Sequence, residues 1–336
     1  MQIIEYPVSL VMKAWHAALT ALGMDAVDAW PLTILLLVLT VRLILLPFAY
    51  RAQHSSRMLI NLRPALAALD REYAGNKDPE AVKEKMNRRR ALQREGGYRM
   101  RDGCIPSLIQ IPVFLGLYRI LLTVSRPTDL ENAEHQSIGA LNSTDVDQFL
   151  DAKVFGVPLP AYSVMTDERF TFLGTTSSEV FRVALPLCTI AAILTTLNMA
   201  YSVRRNWMTL DEDSALARGL FKFLIGMTPF VLLFPLFFGL AGPAPVAIMC
   251  YWVANNLWTV AQTVGLNLVM DRKAPYTEEF LSHRKDAAAR RKQLKQAKKN
   301  GAVALPAPTT GSEAPDPDSE VPDADTGEAG RHRLDD

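Results

Sequence analysis

The sequence predicts an all-α integral membrane protein: a bundle of five transmembrane helices, with an amphipathic amino-terminal helix and a cytoplasmic helical hairpin. Three observations predict it. Five stretches, about 30–50, 105–125, 183–203, 221–241 and 246–270, are apolar and long enough to cross a bilayer core, which takes about 20 helical residues. None of the five contains Asp or Glu, yet the first holds Arg42 close to its midpoint. The charge of the connecting segments alternates in step with the spans. Residues 51–103 carry 13 Lys/Arg against 7 Asp/Glu, 126–182 carry 4 against 9, 204–222 carry 4 against 3, and 271–300 carry 10 against 4. The turn from Gly242 to Val246 carries no charge. By the positive-inside bias, the amino terminus is outside and the carboxyl terminus cytoplasmic. The net charge of +1 and the 49% hydrophobic content conceal this sorting.

Residues 1–29 read as an external amphipathic helix. Val8, Val11, Met12, Trp15, Leu19 and Leu22 recur near a helical period, which suits a helix lying on the outer membrane face. A signal peptide fits less well, because no basic residue precedes the apolar part and Lys13 interrupts it. No cysteine precedes Cys104, so an amino-terminal lipoprotein anchor is not expected.

The five-span core occupies 30–270. Arg42 in the first span costs roughly 2.5–3.5 kcal/mol at mid-membrane depth. The guanidinium cannot shed its proton, since its pKa stays above about 12. Such a charge persists only where it faces protein or water. Residues 52–100 read as the cytoplasmic hairpin. Leu59, Leu62, Leu66, Leu69 and Tyr73 form a coiled-coil seam, Gly75-Asn76 breaks the helix, and Asp78-Pro79-Glu80 restarts it. The run Arg88-Arg89-Arg90 reads as a solvated face near anionic headgroups, or as a contact for ribosome, RNA or nascent chain. Arg119, near the outer end of the second span, is placed to snorkel to the interface. Residues 126–182 read as a long acidic outer loop without chemistry. Residues 271–300 read as a basic cytoplasmic helix, and 301–336 as a disordered acidic tail with no Ile, Phe or Tyr.

Polar residues fall in rows on the spans: Ser107 and Gln110 on the second, Thr195, Asn198 and Ser202 on the third, Trp252, Asn255, Thr259 and Gln262 on the fifth. In hydrocarbon they must be satisfied by one another, by water or by a partner. Ser and Thr suit interhelical hydrogen bonds. Asn198 and Asn255 fit that role or a water-filled groove, and Arg42 and Gln110 favour the groove. An Arg with no acid in any span invites an anionic partner from outside the protein.

No Gly-rich phosphate loop, GxSxG or HExxH occurs, and the five histidines and three cysteines are scattered. An enzyme is not expected, nor a metal, a cofactor or a DNA partner.

With these residues in place, the chain resembles the YidC family of membrane protein insertases over about residues 5–272. The most specific match is Gly103-CIPSLIQIPVFLGLY-Arg119, similar to that family's second core span with its Pro-x-x-x-Gln-x-Pro pattern. Arg42 followed by Pro47, the segment from Leu59-x-x-Leu62-Arg63-Pro64 through Gly96, and Tyr251-Trp252-Val253-Ala254-Asn255-Asn256-Leu257-Trp258 match in the same order. Thr40 and Val38 stand on the turn preceding Arg42. The resemblance is to the Gram-positive, actinobacterial-like form without a large domain near the amino terminus. It implies a multi-pass protein of the bacterial cell membrane that inserts and chaperones nascent membrane proteins. Arg42 would be the groove arginine and Gln110 would line the same groove. Tyr251 and Trp252 would stand against the transiting segment. Ser107, Asn198 and Asn255 complete the candidate groove. Implied partners are nascent membrane proteins and the phospholipid bilayer, with a Sec translocon, and the ribosome through the basic tail, as further candidates. An anion transporter is the reading from another class, disfavoured because no internal repeat is visible. A folding scaffold acting after another translocon is a third.

Overall fold

A computed structural model describes residues 2–98, 115–116, 118–121, 123 and 137–299. The expected second span, with Ser107 and Gln110, lies outside the described residues except for helical positions between 115 and 123.

Helix α1 spans Gln2–Ala21 and α2 spans Ala29–Asn61. At 33 residues α2 is about 50 Å long. It runs well past the apolar stretch that ends at Tyr50, because nothing in 51–61 breaks a helix. Pro64 does: it lacks the N–H that would bond the carbonyl of Ile60, and α3 (Arg63–Glu72) restarts after Leu62. The hairpin's first arm therefore begins at 63, not 52. After the turn at Gly75, α4 (Pro79–Glu95) is capped by Asp78, whose side chain accepts from the Glu80 N–H. Ion pairs at the surface, one of them fully exposed, tie the arms: Lys85 to Asp70 at 3.0 Å, Arg88 to Glu72 at 2.5 Å, Arg89 to Asp70 at 3.6 Å. Two arginines of the basic run are thus partnered within the pair of helices.

Residues 137–176 fold where a plain loop was expected. Helix α5 (Ser143–Asp151) starts with a capping box between Asn142 and Asp145. Strands β1 (Lys153–Val154) and β2 (Val157–Pro158) form an antiparallel hairpin, so the protein is not purely helical. Helix α6 (Asp167–Phe172) follows. This layer clasps α1: the Ala140 N–H donates to Ser9 Oγ at 2.8 Å, Lys13 Nζ donates to the Ala140 carbonyl at 3.1 Å, and Lys13 pairs with Asp145 at 3.2 Å. Gly139, at φ +61°, lies so close to Ser9 that a Cβ would stand 2.3 Å from its Oγ.

Three long helices follow: α7 (Ser177–Met208), α8 (Ala215–Leu240) and α9 (Val246–Lys273). They begin within six residues of the spans expected at 183, 221 and 246. Helix α10 (Glu278–Lys299) closes the described chain. Among the described residues, α2, α7 and α8 are long and apolar enough to cross a membrane. Helix α9 has the length, about 42 Å, but its row of Asn, Thr and Gln side chains dilutes its apolar content.

The largest core cluster unites Val8 and Met12 of α1, Trp30, Ile34 and Leu37 of α2, Phe149 of α5, and Ala247, Ile248 and Tyr251 of α9. His16 stacks on Trp30 at 4.2 Å, and the Trp15 indole N–H reaches Thr40 Oγ1 at 2.8 Å. The apolar stripe of α1 therefore faces its own chain, while Tyr6, Leu10, Ala14, Ala17 and Ala21 remain on the outer face. Arg119 is paired rather than snorkelling alone: its Nε meets Glu5 of α1 at 2.9 Å. The first turn of α9 leaves orphan N–H groups, and the 159–161 segment satisfies them: Val246 N–H bonds the Ala161 carbonyl and Ala247 N–H the Leu159 carbonyl, both at 2.9 Å.

Helices α7 and α8 approach closely at Gly239, where a Cβ would stand 2.2 Å from Cys188 Sγ. Small residues at such crossings let backbones pack without a hydrophobic drive. Gly239→Ala is expected to lower stability in detergent by about 1–3 kcal/mol through overpacking. Adding Cys188→Ala should recover much of it, read as a thermal midpoint.

Candidate functional site

Arg42 lies 13 residues into α2, about 20 Å along its axis. It faces α9. Arg42 Nε donates to Asn255 Oδ1 at 3.0 Å, and Nη2 donates to the same oxygen at 2.5 Å and to Thr259 Oγ1 at 3.2 Å. Asn255 and Thr259 are one turn apart on α9, so both present acceptors to one guanidinium. Thr259 Oγ1 in turn donates to the Asn255 carbonyl at 2.7 Å. Among the described residues no carboxylate lies within ion-pair reach of Arg42. Among these residues its positive charge is solvated by an amide and a hydroxyl and meets no counter-ion.

The neighbouring polar row runs between α7 and α9. Thr195 Oγ1 donates to Asn256 Oδ1 at 2.9 Å, and Asn256 Nδ2 to the Trp252 carbonyl at 2.9 Å. Asn198 Oδ1 is buried without a hydrogen-bond partner among the described residues. Tyr251 and Trp252, expected to stand against a moving segment, are engaged in packing. Tyr251 is 6% exposed within the largest core cluster, and Trp252 lies 6.2 and 5.9 Å from the rings of Phe234 and Phe238 on α8. Of the expected residues, the structure joins Arg42 to Asn255 directly, puts Asn198 on α7, and leaves Ser107 and Gln110 outside the described residues.

The profile of the family described as 60Kd inner membrane protein matches residues 22–273, from the end of α1 to the end of α9. The chain belongs to that family. It is 45% identical over 280 residues to the membrane protein insertase YidC of Corynebacterium efficiens, covering 83% of this chain and 70% of that one. It is 44% identical over 285 residues to the insertase of that name from Corynebacterium glutamicum, covering 84% and 68%. The relative from Mycobacterium tuberculosis is 32% identical over 272 residues, 78% and 71% of the two chains. The family resemblance drawn from Arg42 and the other segments is confirmed, and the family is one of membrane insertases, not enzymes.

The family region also holds a second polar cluster, at the carboxyl-terminal end of α9. Asn267 Oδ1 accepts from Gln53 Nε2 at 3.2 Å and from Arg205 Nη2 at 2.9 Å. Asp271 meets Arg57 at 2.9 Å and Arg205 at 2.7 Å. Hydrogen bonding to Arg205, and secondarily to Arg57, holds the Asp271 carboxyl below the usual aspartate range against the opposing effect of burial. Arg57 is only 2% exposed and lies 3.9 Å over the Tyr276 ring. The cluster locks α2, α7 and α9 together. Each member is charged or amide-bearing near the end of an apolar stretch, and the sequence assigns them to separate segments: Gln53 and Arg57 to the hairpin, Arg205 to a connecting segment, Asn267 to the fifth span and Asp271 to the basic helix. The available signal is that Asp271 is the first acid after the long acid-free run from Ser214.

Beyond the family region, α10 folds back. Phe280 is buried beside Tyr276, Arg290 pairs with Asp213 at 2.7 Å, and Arg291 pairs with Glu212. Part of the tail's positive charge is therefore matched by the acidic 211–213 segment.

Proposed function

We propose that this chain inserts nascent membrane proteins into the bacterial cell membrane, using the Arg42 site as the wall of a polar groove. The observation that carries this is the cation itself: a guanidinium some 20 Å along an apolar helix that meets Asn255 and Thr259 yet has no carboxylate among the described residues. A charge so placed keeps its stabilising capacity for an incoming acceptor or anion.

The Lys/Arg pattern puts the amino termini of α2, α7 and α9 at the outer face and the Arg57–Arg205–Asp271 cluster at the cytoplasmic face. Five spans would surround the groove: α2, the helix holding 115–123, α7, α8 and α9. The groove would open toward the cytoplasm and lipid. Its outer end would be stopped by the packed layer of α1, α5 and the hairpin over Trp30 and the start of α9. A substrate's apolar segment slides along the lipid-facing side, drawn by about 0.8 kcal/mol per buried CH₂. Its hydrophilic flank enters the groove, where Arg42, Asn255, Asn198 and water replace part of its hydration, and the polar side chains of Gln110 and Ser107, which lie outside the described residues, would add to the same lining. The membrane potential adds about 2.3 kcal/mol per acidic charge per 100 mV. Trp252 would meet the segment once α8 and α9 part, and Tyr251 only if α9 also shifts from α1 and α2. No covalent step is required. The basic surface of α4 and α10 would serve ribosomes, and a Sec translocon would be an optional neighbour.

The test is reconstitution of the purified chain alone in liposomes with a short single-span substrate. Protease-protected, membrane-integrated substrate is the expected product. A chain that improves folding of pre-inserted helices but integrates none would be a scaffold, and one that moves a labelled anion would be a transporter.

A further inference from the structure

The β1–β2 pairing sets Lys153 opposite Pro158 and Val154 opposite Val157, leaving a two-residue turn, Phe155-Gly156. Both residues have positive φ, +52° and +83°. Such a turn favours Asn-Gly or Asp-Gly, because the left-handed conformation penalises a bulky side chain. Phe155 is the one non-glycine residue with positive φ among the described residues. It is also 83% exposed, so the fold gains no packing from the ring whose strain it carries.

The hairpin is firmly mounted. Val157 packs in a cluster with Val180 and Val183 of α7 and Val246 of α9. The carbonyls of Leu159 and Ala161, just past β2, hold the first turn of α9. Phe155 therefore projects from a fixed support beside the amino-terminal ends of two long helices. On α7 the exposed apolar surface begins at Phe181 and Leu185, level with the Val180–Val183 contact. Lys153, exposed on the same hairpin, supplies a cation of the kind that pairs with lipid phosphate beside an interfacial aromatic.

We propose that the 153–158 hairpin is a membrane-surface anchor, with Phe155 inserted in the interfacial layer of the phospholipid bilayer next to the outer end of α7. This rests on the reading of α7 as a span. Lipid is the occupant because the support is continuous with apolar helix surface and because the hairpin carries an exposed aromatic at its turn and an exposed cation two residues before it.

The test uses the full chain with Cys104→Ser, Cys188→Ala and Cys250→Ala, spin-labelled through Phe155→Cys in liposomes of phosphatidylglycerol and phosphatidylethanolamine. Leu185→Cys and Asp167→Cys serve as references. At 155, oxygen is expected to relax the label more than a water-soluble nickel chelate does, with a ratio between those of the two references. A ratio equal to that at 167 would put the tip in water, overturning the proposal in favour of a protein partner. If 185 itself behaved as water-exposed, the span reading would fail first, which separates the two failures. Phe155→Asn, which relieves the backbone strain, is expected to maintain or raise the thermal midpoint in detergent. A lowered midpoint would mean that the ring serves internal packing, and the proposal would fall.

Discussion

Arg42→Ala is expected to reduce insertion of a single-span substrate with an acidic flank by about 10- to 100-fold. Hydrogen bonds to a charged group contribute about 1.5–3 kcal/mol, and 1.4 kcal/mol is a factor of ten. Arg42→Lys should retain much of the activity, because a cation at the same depth still draws the flank even though the forked geometry toward Asn255 is lost. Arg42→Glu should fall below Arg42→Ala on the same substrate, since it repels the flank. Substrates with neutral or basic flanks should respond less, so the assay needs several flanks in one membrane system. Equal insertion by wild type, Arg42→Ala and Arg42→Glu on every flank would remove the charge from the mechanism.

Asn255→Leu should produce the largest loss of stability at the site. Asn255 Oδ1 accepts two of the three hydrogen bonds recorded from Arg42, so the change leaves a half-buried guanidinium with Thr259 alone. A charged donor left without its acceptor costs about 2–3 kcal/mol. The penalty belongs to the pair, so Asn255→Leu should cost less in an Arg42→Ala background. A double-mutant cycle in detergent should give a coupling of at least about 1 kcal/mol. Additivity within a few tenths would mean that Arg42 finds its solvation elsewhere.

Much of this site was legible in the sequence because its parts are anomalies. An arginine inside an acid-free apolar run cannot be neutral filler, and Asn255 and Thr259 announce a polar face by their spacing. That Arg42 bonds Asn255 was not legible, since 213 residues separate them and only the crossing of α2 and α9 brings them together. Apolar runs marked where α2, α7 and α8 pass, but not their ends. Helix α2 continues to Asn61 because helical hydrogen bonding needs no apolar side chains, whereas Pro64 stops it. The 137–176 layer escaped notice because its helices and strands are too short for periodicity to emerge. Its hairpin carries Phe-Gly where a turn signal would be Asn-Gly. The Arg57–Arg205–Asp271 cluster was hidden for another reason: charges on separate segments look unrelated until the helix ends meet.

The most direct measurement places a photoreactive side chain at position 259, beside Arg42, and in parallel at the exposed Leu233 of α8. Ribosome-bound chains of a single-span substrate are then irradiated at successive lengths. Crosslinks from 259 to the hydrophilic flank, at intermediate lengths only and absent from 233, are the predicted result. A silent position 259 during productive insertion would contradict a groove at Arg42 through which the flank passes.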